Sequence, residues 1–599
     1  MKRFCLLLLS LLATTAIWGQ TAVSGVVQDS SGQPIVGAGV VQVGSATNGV
    51  MTNLDGAFSI SVPAGSVLEI SCVGYVTKRV TVESAQSNLT IVLDEDSEML
   101  DDVVVVAFGK MKREAFTGSA ATIKADELTK AQSTNAAQAL AGRIPGLQIN
   151  NTSGQLTSSP SITIRGIGSI YSDTQPLIVV DGMPYDGDLN LLNSSDIESM
   201  TVLKDAASNA LYGARGANGV IMITTKRGST GDAKVTFDAK WGVNSNALQL
   251  YKTTNTAQFY ETYYQTIYNQ AILDGASASD AHKKANSYVQ GSSTGPGYMV
   301  YTVPTGQDFI LEGGKMNPDA QLGAFHTYNG QTFWLQPDSW EKEGLRDGFR
   351  QEYNVSLSGF VGGKVNYFAS LGYLDQQGIQ VGSDQDRLTA RLSADYQAKP
   401  WLKVGGNFNY TKYRYHNTGE GVLNAGYIWQ TIKTQAPVYP VYLRDGNGKI
   451  MIDKWGEQMY DFAQNYGLNR AGGTGGNSIF GNKYTSNLTD GNSITLNGFA
   501  DIKIYKDLTF TVNASAYDYE RKGTYIDSPF VDIYTNSSDN GYLSKSAART
   551  YTYNTQQLLN YNKTVGKHEI SAMLGHEYYN YKYEDIAASG KNFGIDGVT

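Results

Sequence analysis

The chain has 599 residues, enough for several domains, and it combines a low charged fraction of 17% with 65 glycines and 39 tyrosines. This composition favours strands, turns and aromatic surfaces over helices. The formal net charge of −8 argues against a general nucleic-acid binder, because such proteins need clustered lysine and arginine.

The N-terminal stretch, residues 1–20, is typical of a secretory signal peptide. "MKRFCLLLLSLLATTAIWGQ" has a basic start, an apolar centre and small residues after it. Cleavage could follow Ala16 or Gly19. Removal of the signal leaves one cysteine, Cys72, so an intramolecular disulfide is not expected. Beyond residue 20 no apolar run reaches the ~18 residues of a membrane helix. The chain is therefore expected to be periplasmic, secreted or an outer-membrane barrel.

Residues 21–93 predict a small β-sandwich. "VSGVVQDSSGQPIVGAGV" and "TNLDGAFSISVP" alternate short apolar strands with turn residues. Residues 94–111 then join an acidic run to the valine run of "DDVVVVAFGK". β-branched residues favour extended backbone, whereas acidic runs favour a solvated linker. The valine run is therefore either an internal strand of a neighbouring domain or a tethered strand intended for the sheet of a partner.

Residues 112–228 predict a mixed α/β region. "ADELTKAQSTNAAQALAGRIPG" has helix-favouring residues and ends in Pro-Gly, whereas "SITIRG", "PLIVVDG" and "GVIMITTKRG" predict strands. Between the last two, "SSDIESMTVLKDAASNALYGARGANG" predicts a strand, a short helix from about Asp205 and a glycine-rich turn.

Two arginines of this region lie within apolar, glycine-rich segments, Arg165 before Gly166 and Arg215 before Gly216. A charge in such a place needs carboxylate or backbone partners. Candidate partners are Asp181, Asp205 and acidic residues of a surrounding β-barrel. Such pairs could equally hold the region's own fold. The glycines most readily serve tight turns.

Residues 229–599 are dominated by period-2 alternation. In "KVTFDAKWGV" one face carries Val235, Phe237, Ala239, Trp241 and Val243. Strands of about ten residues with one apolar face, and tyrosines near their ends, are typical of a transmembrane antiparallel β-barrel. A large soluble sandwich or a β-solenoid is the alternative. Ten to twelve strand candidates can be counted.

Signatures of enzymes are missing from the sequence. The five histidines include no His-Glu-x-x-His pair, and no P-loop, dinucleotide fingerprint or nucleophile elbow lies in a suitable context. "RDGNGK" at 444–449 predicts a hairpin turn, since a calcium loop would need a glutamate at its twelfth position. We expect no catalytic site, no metal and no cofactor.

Long motifs of the α/β region resemble the plug of the SusC/RagA family of TonB-dependent outer-membrane transporters: "LAGRIPGLQINNTSGQLTSSPSITIRGIGSI", "PLIVVDGMPYDG" and "DIESMTVLKDAASNALYGARGANGVIMITTKRG". The segment 21–93 resembles the carboxypeptidase-regulatory-like sandwich that precedes many such receptors. The resemblance implies a mainly β protein with a sandwich, an α/β plug and a barrel of 22 strands. Residues 229–599 are too few for that barrel, so we expect the N-terminal portion of a protein nearer a thousand residues.

The resemblance also implies partners and a site. TonB, energised from the inner membrane, would capture the valine run as a TonB box by strand addition. The sandwich and this box would be periplasmic, the barrel would contact outer-membrane lipid, and plug-to-barrel pairs would lock the plug. A SusD-like lipoprotein and a glycan or peptide substrate complete the expected system, with no nucleic acid. A surface adhesin, a siderophore or cobalamin receptor and a peptidase accessory chain are the alternatives. The expected box consists of Val103, Val104, Val105, Val106, Ala107, Phe108 and Gly109.

Overall fold

The structure is a computed structural model in two compact units, Met1–Gly118 and Ser119–Thr599. The predicted signal peptide up to residue 19, the acidic segment 94–102, and Ala107 and Phe108 lie outside the described residues. The described residues are 20–592 except for 30–33, 45–47, 54, 73–74, 76, 83–85, 94–102, 107–108, 113–118, 131–132, 134, 151–154, 157–158, 170, 172–173, 206–209, 229–232, 248–250, 293, 363, 418–427, 472–475, 530–540 and 567.

The first unit contains a β-sandwich. Its two sheets have the strand orders β4-β1-β7 and β3-β2-β5-β6. Alternate apolar residues of both sheets, among them Val23, Val27, Ile60 and Leu68, are buried in one shared core. The period-2 pattern of the sequence arises from this burial. The strands are β1 (Gln20–Asp29), β2 (Gly39–Gln42), β3 (Gly49–Met51), β4 (Ala57–Pro63), β5 (Ser66–Ser71), β6 (Lys78–Val82) and β7 (Gln86–Leu93).

The valine run forms a two-stranded sheet of its own. Strand β8 (Val103–Val106) pairs antiparallel with β9 (Gly109–Lys112). Neither strand pairs with the sandwich or with any other sheet in the described part of the chain.

The second unit begins with an α/β region built on a five-stranded sheet. The strand order is β10-β15-β16-β13-β14, with β13 and β16 parallel and the other pairs antiparallel. Its core includes Leu140, Met200, Val202 and Ile221. The elements are β10 (Ala120–Lys124), α1 (Ala125–Lys130), β11 (Leu147–Asn150), β12 (Ser161–Ile164), β13 (Leu177–Val180), β14 (Met183–Pro184), β15 (Ile197–Leu203) and β16 (Val220–Thr225), with 3-10 turns at Gln138–Leu140, Leu189–Leu191, Ser194–Asp196 and Ala210–Gly216.

The predicted strands of this region are present, and α1 occupies the start of the first predicted helix. The short helix predicted from about Asp205 falls on residues 206–209, outside the described residues. Helix α1 ends at Lys130. Beyond it, Asn135 Oδ1 accepts a hydrogen bond from Ala137 N at 2.7 Å, and Ser133 Oγ accepts one from Asn135 N at 3.2 Å. Such local side-chain bonds compete with helical ones. At Ser133 and Asn135 such bonds therefore oppose a helix that composition alone would have continued.

A nine-stranded antiparallel sheet, here called the wall, makes up the rest of the second unit. Its strands pair in chain order as β17, β22 and then β23 to β29. The connection 245–347 follows β17 (Lys234–Asn244) and contains α2 (Thr256–Leu273), α3 (Ala278–Gln290), β18 (Tyr301–Thr302), β19 (Gln321–Leu322), β20 (Ala324–Tyr328), β21 (Gln331–Leu335) and α4 (Trp340–Gly344). The remaining strands are β22 (Gly348–Val361), β23 (Val365–Gln377), β24 (Asp384–Lys399), β25 (Leu402–Asn417), β26 (Thr485–Tyr505), β27 (Leu508–Asp527), β28 (Tyr542–Val565) and β29 (His568–Lys591), with α5 (Ile428–Thr434) and α6 (Ser478–Tyr484) between β25 and β26.

The sheet has nine strands among the described residues, fewer than the ten to twelve candidates counted in the sequence. Four additional short strands, β18 to β21, pair two by two within the first long connection and do not join the wall. The predicted turn in "RDGNGK" is a hairpin in the second long connection. There Asp445 Oδ1 accepts hydrogen bonds from the amides of Asn447 and Lys449.

The two ends of the wall differ. Turns of two or three residues join the strands at one end. At the other, which we call the long-connection end, three long connections, 245–347, 418–484 and 528–541, lie beside the short connection 378–383. The first two long connections pack into a common core that includes Tyr260, Tyr298 and Tyr439.

Polarity across the wall is the reverse of that in a soluble sheet. Leu371 and Leu392 on the outer face are 61% and 56% exposed, whereas Arg391 and Asn554 on the inner face are 2% and 0% exposed. The α/β region packs against this polar inner face. An apolar exterior around a polar interior is the pattern expected of a wall with hydrocarbon outside it. Among the described residues, no helix is long and apolar enough to cross a bilayer.

Candidate functional site at the inner face of the wall

Asp181 lies at the centre of the contact between the α/β region and the wall. It follows β13 in a two-residue Asp-Gly turn to β14, in which Asp181 and Gly182 have φ of 51° and 86°. Two successive positive φ angles are required by the type I′ turn, and Asp-Gly is a preferred sequence for it. The turn therefore places the Asp181 carboxylate at the end of the strand, facing the wall.

Three residues contact this carboxylate, and together with Asp181 and Asn409, which bonds two of them, we call them the Asp181 cluster. Asp181 accepts hydrogen bonds from Thr225 N at 3.0 Å, Thr225 Oγ1 at 2.6 Å and Asn407 Nδ2 at 2.9 Å. Arg391 Nη2 lies 3.5 Å from Asp181 Oδ2, and the two side chains are 3% and 2% exposed. Arg391 also donates to Thr225 Oγ1 and to Asn409. The buried charges are thus paired across the interface, as burial of charge requires.

A second contact uses backbone oxygens of the segment 189–192. Arg387 donates to the oxygens of Asn190 and Leu192, and Thr411 Oγ1 donates to Leu191 O at 3.0 Å. This segment is a 3-10 turn whose N-cap is Asp188. A short irregular turn leaves carbonyl groups without intrahelical partners, and the wall supplies their donors.

The next turn of the α/β region is also held by polar side chains. Asn193 Nδ2 donates to Asn354 Oδ1 at 2.7 Å and to Thr389 Oγ1 at 3.2 Å. Ser370 Oγ donates to Asp196 Oδ1 at 2.7 Å. Burial raises the pKa of Asp196, although the Ser370 hydrogen bond and the nearby arginine charges oppose the shift.

Two arginine contacts flank these central ones. Arg227 Nη1 lies 3.1 Å from Asp395 Oδ1 close to the short-turn end of the wall. Arg215 Nη2 lies 3.2 Å from Glu577 Oε1, and its guanidinium stands 4.5 Å from the centre of the Tyr579 ring. Arg215 is therefore joined to the wall by one ion pair and one cation–π contact.

The other residues singled out in the sequence lie elsewhere. Arg165 has φ of 61°, followed by Gly166 at 95°, and its backbone amide donates to Gly146 O while its side chain is exposed. Asp205 accepts a hydrogen bond from Ser119 N at 2.7 Å within the α/β region. Gly216 lies in a 3-10 turn and accepts from Gly219 N.

The wall partners were not singled out in the sequence. Arg387, Thr389, Arg391, Ser393 and Asp395 alternate along β24 and all five are buried. In a strand, such alternate residues share one face. The signal available in the sequence was the alternation of polar and apolar residues along β24. It identifies the face of the strand that is turned inward, but not the plug residues that this face contacts.

The valine run is the remaining candidate. In the β8–β9 hairpin, Val103 pairs with Lys112 and Val106 with Gly109. A hairpin of only two strands has a free edge on each strand, which is what strand addition by a partner requires.

Comparison with known proteins agrees with this architecture. Residues 112–220 match the TonB-dependent Receptor Plug Domain, and residues 23–105 match the CarboxypepD_reg-like domain. The TonB-dependent receptor SusC of Bacteroides thetaiotaomicron is 30% identical, over 94% of this chain and 51% of that protein. A TonB-dependent receptor of Formosa agariphila is 28% identical, over 97% of this chain and 49% of that protein. The chain spans about half the length of these relatives.

Solved structures give the same fold. The RagAB peptide importer in its open-open state has a TM-score of 0.59 at 24% identity, over 83% of this chain and 51% of that chain. Its closed-closed state has a TM-score of 0.58 at 24% identity, over 81% of this chain and 50% of that chain. The predicted mainly β fold with sandwich, plug and barrel wall is confirmed. With a plug, a carboxypeptidase-regulatory-like domain and a homologue in SusC, the predicted resemblance to the SusC/RagA family of TonB-dependent receptors is confirmed.

Proposed function

We propose that this protein imports a large nutrient, a glycan oligosaccharide or a peptide, across the outer membrane, and that TonB powers the import. The polar contact between plug and wall carries the proposal. An interface made of ion pairs and hydrogen bonds, such as the Asp181 cluster, can exchange its partners for water when the plug moves. An apolar interface would instead expose hydrophobic surface at a cost of roughly 25 cal/mol per Å². The plug is therefore held by contacts that suit a movable closure.

Orientation follows from the connections. Outer-membrane barrels have short turns on the periplasmic side and long loops outside the cell. The long-connection end of the wall is thus assigned to the cell exterior. The sandwich and the valine run are assigned to the periplasm, where TonB can reach them.

In this mechanism TonB captures the segment Val103–Gly109 by strand addition. A two-residue hairpin connection normally closes on a hydrogen-bonded pair, here Val106 with Gly109, and such pairs alternate along the ladder. Val104 and Val106 then bond to β9, whereas the backbone groups of Val103 and Val105 face the free edge. TonB would pair with that edge, and pulling on it would draw the plug from the wall.

The outer partner and the cargo are inferred from the relatives. RagAB is named as a peptide importer, and the first matched relative is the receptor SusC. By likeness we assign a SusD-like lipoprotein to the long-connection end, where it would enclose a glycan or peptide before transport. Outer-membrane lipid would cover the apolar outer face of the wall.

The test is growth of a strain whose chromosomal gene carries Val103→Pro and Val105→Pro. Proline removes both backbone donors of the free edge and leaves β9, sandwich and wall intact. Val103→Thr with Val105→Thr is the matched control, because threonine keeps the branched shape and the amide. Sole nutrients are starch, xylan, mannan, fructan and casein peptides, with ferric siderophore and cobalamin tested separately.

We expect the proline strain to lose growth on the nutrient that a deletion strain cannot use, with normal surface levels of protein. The threonine strain should grow like the wild type. Growth of the proline strain on every nutrient that the deletion strain cannot use would refute TonB coupling through this segment. No growth difference between the deletion strain and the wild type would favour an adhesin.

A further inference from the structure

Four tyrosines form a continuous line on the inner face of the wall. Tyr517 and Tyr519 belong to β27, and Tyr413 and Tyr415 belong to β25. Successive ring centres lie 6.2 Å, 6.1 Å and 4.8 Å apart in the order Tyr517, Tyr519, Tyr413, Tyr415. The corresponding ring planes differ by 9°, 15° and 32°. We call these four residues the tyrosine ladder.

The register of the wall shows that the ladder rises toward the long-connection end. Across β26, Tyr517 is opposite Thr495 and Tyr519 is opposite Ser493, while Tyr413 and Tyr415 are opposite the two next inner-face residues, Gly491 and Thr489. Each tyrosine therefore occupies the inner-face row above the last. One step of two residues rises about 6.8 Å along a strand, so the ladder extends over three such steps.

The strand between β25 and β27 leaves room for the rings. A Cβ atom on Gly491 would lie 2.5 Å from Tyr413 Oη and 2.8 Å from Tyr413 Cζ. Tyr413 thus lies directly over Gly491 and reaches across β26, where its hydroxyl donates to Tyr519 Oη at 2.8 Å. A Cβ at 491 would also clash with the backbone oxygen of Glu520, so this glycine leaves space both for the neighbouring strand and for the ring of Tyr413.

The ladder is largely covered in this structure: Tyr413 is 1% and Tyr517 6% exposed, and Tyr415 and Tyr519 are half-buried. Tyr185 of the plug packs edge-on against Tyr517, with ring centres 5.3 Å apart and planes at 66°. Tyr517 belongs to the hydrophobic core of the plug and Tyr519 packs against that core. Withdrawal of the plug would uncover these two rings toward the opened passage.

We propose that, once the plug has moved, the tyrosine ladder becomes a binding track along which an oligosaccharide passes from the long-connection end through the opened passage. This inference rests on the proposed import function and assigns its substrate class to carbohydrate. A sugar ring presents C–H groups that suit the negative face of an aromatic ring, and its hydroxyls suit the phenolic oxygen. Stacking on successive aromatic rings tolerates any repeat of a polymer, as it does for single-stranded nucleic acids.

The repetition of one kind of ring favours a repeating polymer over a peptide. Peptide recognition normally uses the edge of a sheet, or pockets that receive particular side chains. The ladder lies on strands whose edges are already paired on both sides. It offers the same group four times. Weak, identical contacts also let a chain advance by one unit without a large barrier.

The test replaces rings while the rest of the protein stays complete. Tyr413→Ala with Tyr519→Ala removes two rings, and Tyr413→Phe with Tyr519→Phe keeps both rings and loses their hydroxyls. The probe is the polysaccharide among starch, xylan, mannan and fructan that the Val103→Pro, Val105→Pro strain cannot use, supplied as oligosaccharides graded by length. Initial uptake rates are measured at equal surface levels, with vancomycin sensitivity as the measure of plug closure.

We expect the alanine pair to slow uptake of the longer oligosaccharides about tenfold, with a smaller effect on short ones and no added vancomycin sensitivity. The phenylalanine pair should stay within about twofold of the wild type, because the rings remain. Wild-type uptake by the alanine pair would overturn the track. If uptake slows equally for short and long oligosaccharides and the cells also become sensitive to vancomycin, the tyrosines only hold the plug in place, and the track is overturned.

Failure of the track can be told apart from failure of the import proposal. If the proline strain loses growth on casein peptides alone, import through this protein stands and the carbohydrate track is overturned. If the proline strain grows on everything that the deletion strain cannot use, the import proposal fails and the track fails with it.

Discussion

Removal of one charge from the Asp181 cluster should loosen the plug without unfolding the wall. In Asp181→Asn the side chain keeps its shape and one acceptor oxygen, but Arg391 loses its carboxylate partner while remaining 3% exposed. Breaking a buried pair by changing one partner typically costs 3–5 kcal/mol. Arg391 retains contacts with Asn409 and Thr225, so we expect a cost near the lower limit, about 3 kcal/mol.

Hydrogen exchange at Thr225 reports this cost directly. Its amide donates to Asp181 Oδ1, so it exchanges when the cluster opens. A loss of about 3 kcal/mol corresponds to exchange roughly 150-fold faster, since each 1.4 kcal/mol is a factor of ten. Backbone amides that join β26 to β27 should keep their protection from exchange. Asp238→Asn makes the same chemical change at an exposed position of β17 and should alter nothing.

A double-mutant cycle decides whether the ion pair itself carries the effect. Arg391→Met removes the other charge, and Asp181→Asn with Arg391→Met removes both. If the two charges interact across the interface, the double variant should be at least 1 kcal/mol more stable than the sum of the single losses predicts. Additive losses, or unchanged exchange at Thr225 in Asp181→Asn, would refute the idea that this pair holds the plug.

Three further changes test other parts of the molecule. Asp461→Asn in the second long connection should cost about 3–5 kcal/mol locally, because Arg470 is 0% exposed and lies 2.7 Å from that carboxylate; limited proteolysis of residues 428–484 should then become faster. Gly56→Ala should reduce amide protection in β1, because a Cβ there would lie 2.5 Å from a backbone oxygen of that strand, whereas Gly65→Ala, also at positive φ but in open space, should cost less. Burial opposes ionisation of Glu261, but a lysine and a backbone amide outweigh it and lower its pKa below 4.5. Since the pKa of Glu261 is lower in the folded state, its ionisation stabilises the fold above pH 4.5, and this stabilisation is lost as the pH falls below that value. Acid should therefore speed amide hydrogen exchange in residues 309–317, and Glu261→Gln should remove that pH dependence.

The extent to which the site could be predicted is clearest for the two arginines. Arg165 and Arg215 occur in similar glycine-rich surroundings, yet only Arg215 meets an acid of the wall. That partner, Glu577, is 362 residues away in the sequence, and nothing local to either residue indicates it. Arg165 instead occupies a turn at positive φ that directs its side chain to the surface. Local pattern identified residues that need partners, but only the long-range pairing of strands determines which partners they meet.

For the fold, the alternation of apolar and polar residues was sufficient to predict strands that bury one face, but it was not sufficient to predict the other features. Val235 and Trp241 were correctly grouped on one face of β17, but period 2 alone does not say whether that face is inside or outside. The structure leaves both more than 60% exposed. The helix predicted from residue 125 is present as α1 up to Lys130, and further along the Asn135 side chain accepts a hydrogen bond from Ala137 N, which competes with helical bonding. A hydrogen bond to one side chain thus opposes a helix that the average composition of the segment favours.

Two kinds of contact hold the plug against the wall, and the difference between them suggests how binding of cargo is coupled to release of the plug. At the Asp181 cluster, water can replace the lost partners, so this side opposes withdrawal mainly through its charges. At Tyr517, which is 6% exposed, withdrawal bares an aromatic ring, and exposing a buried aromatic side chain costs roughly 1.5–3 kcal/mol. Water cannot offset that cost, whereas a sugar ring stacked on Tyr517 can. If the ladder binds carbohydrate as proposed, cargo that stacks on these rings as the plug moves lowers the cost of the movement, and an empty transporter stays closed under the same pull.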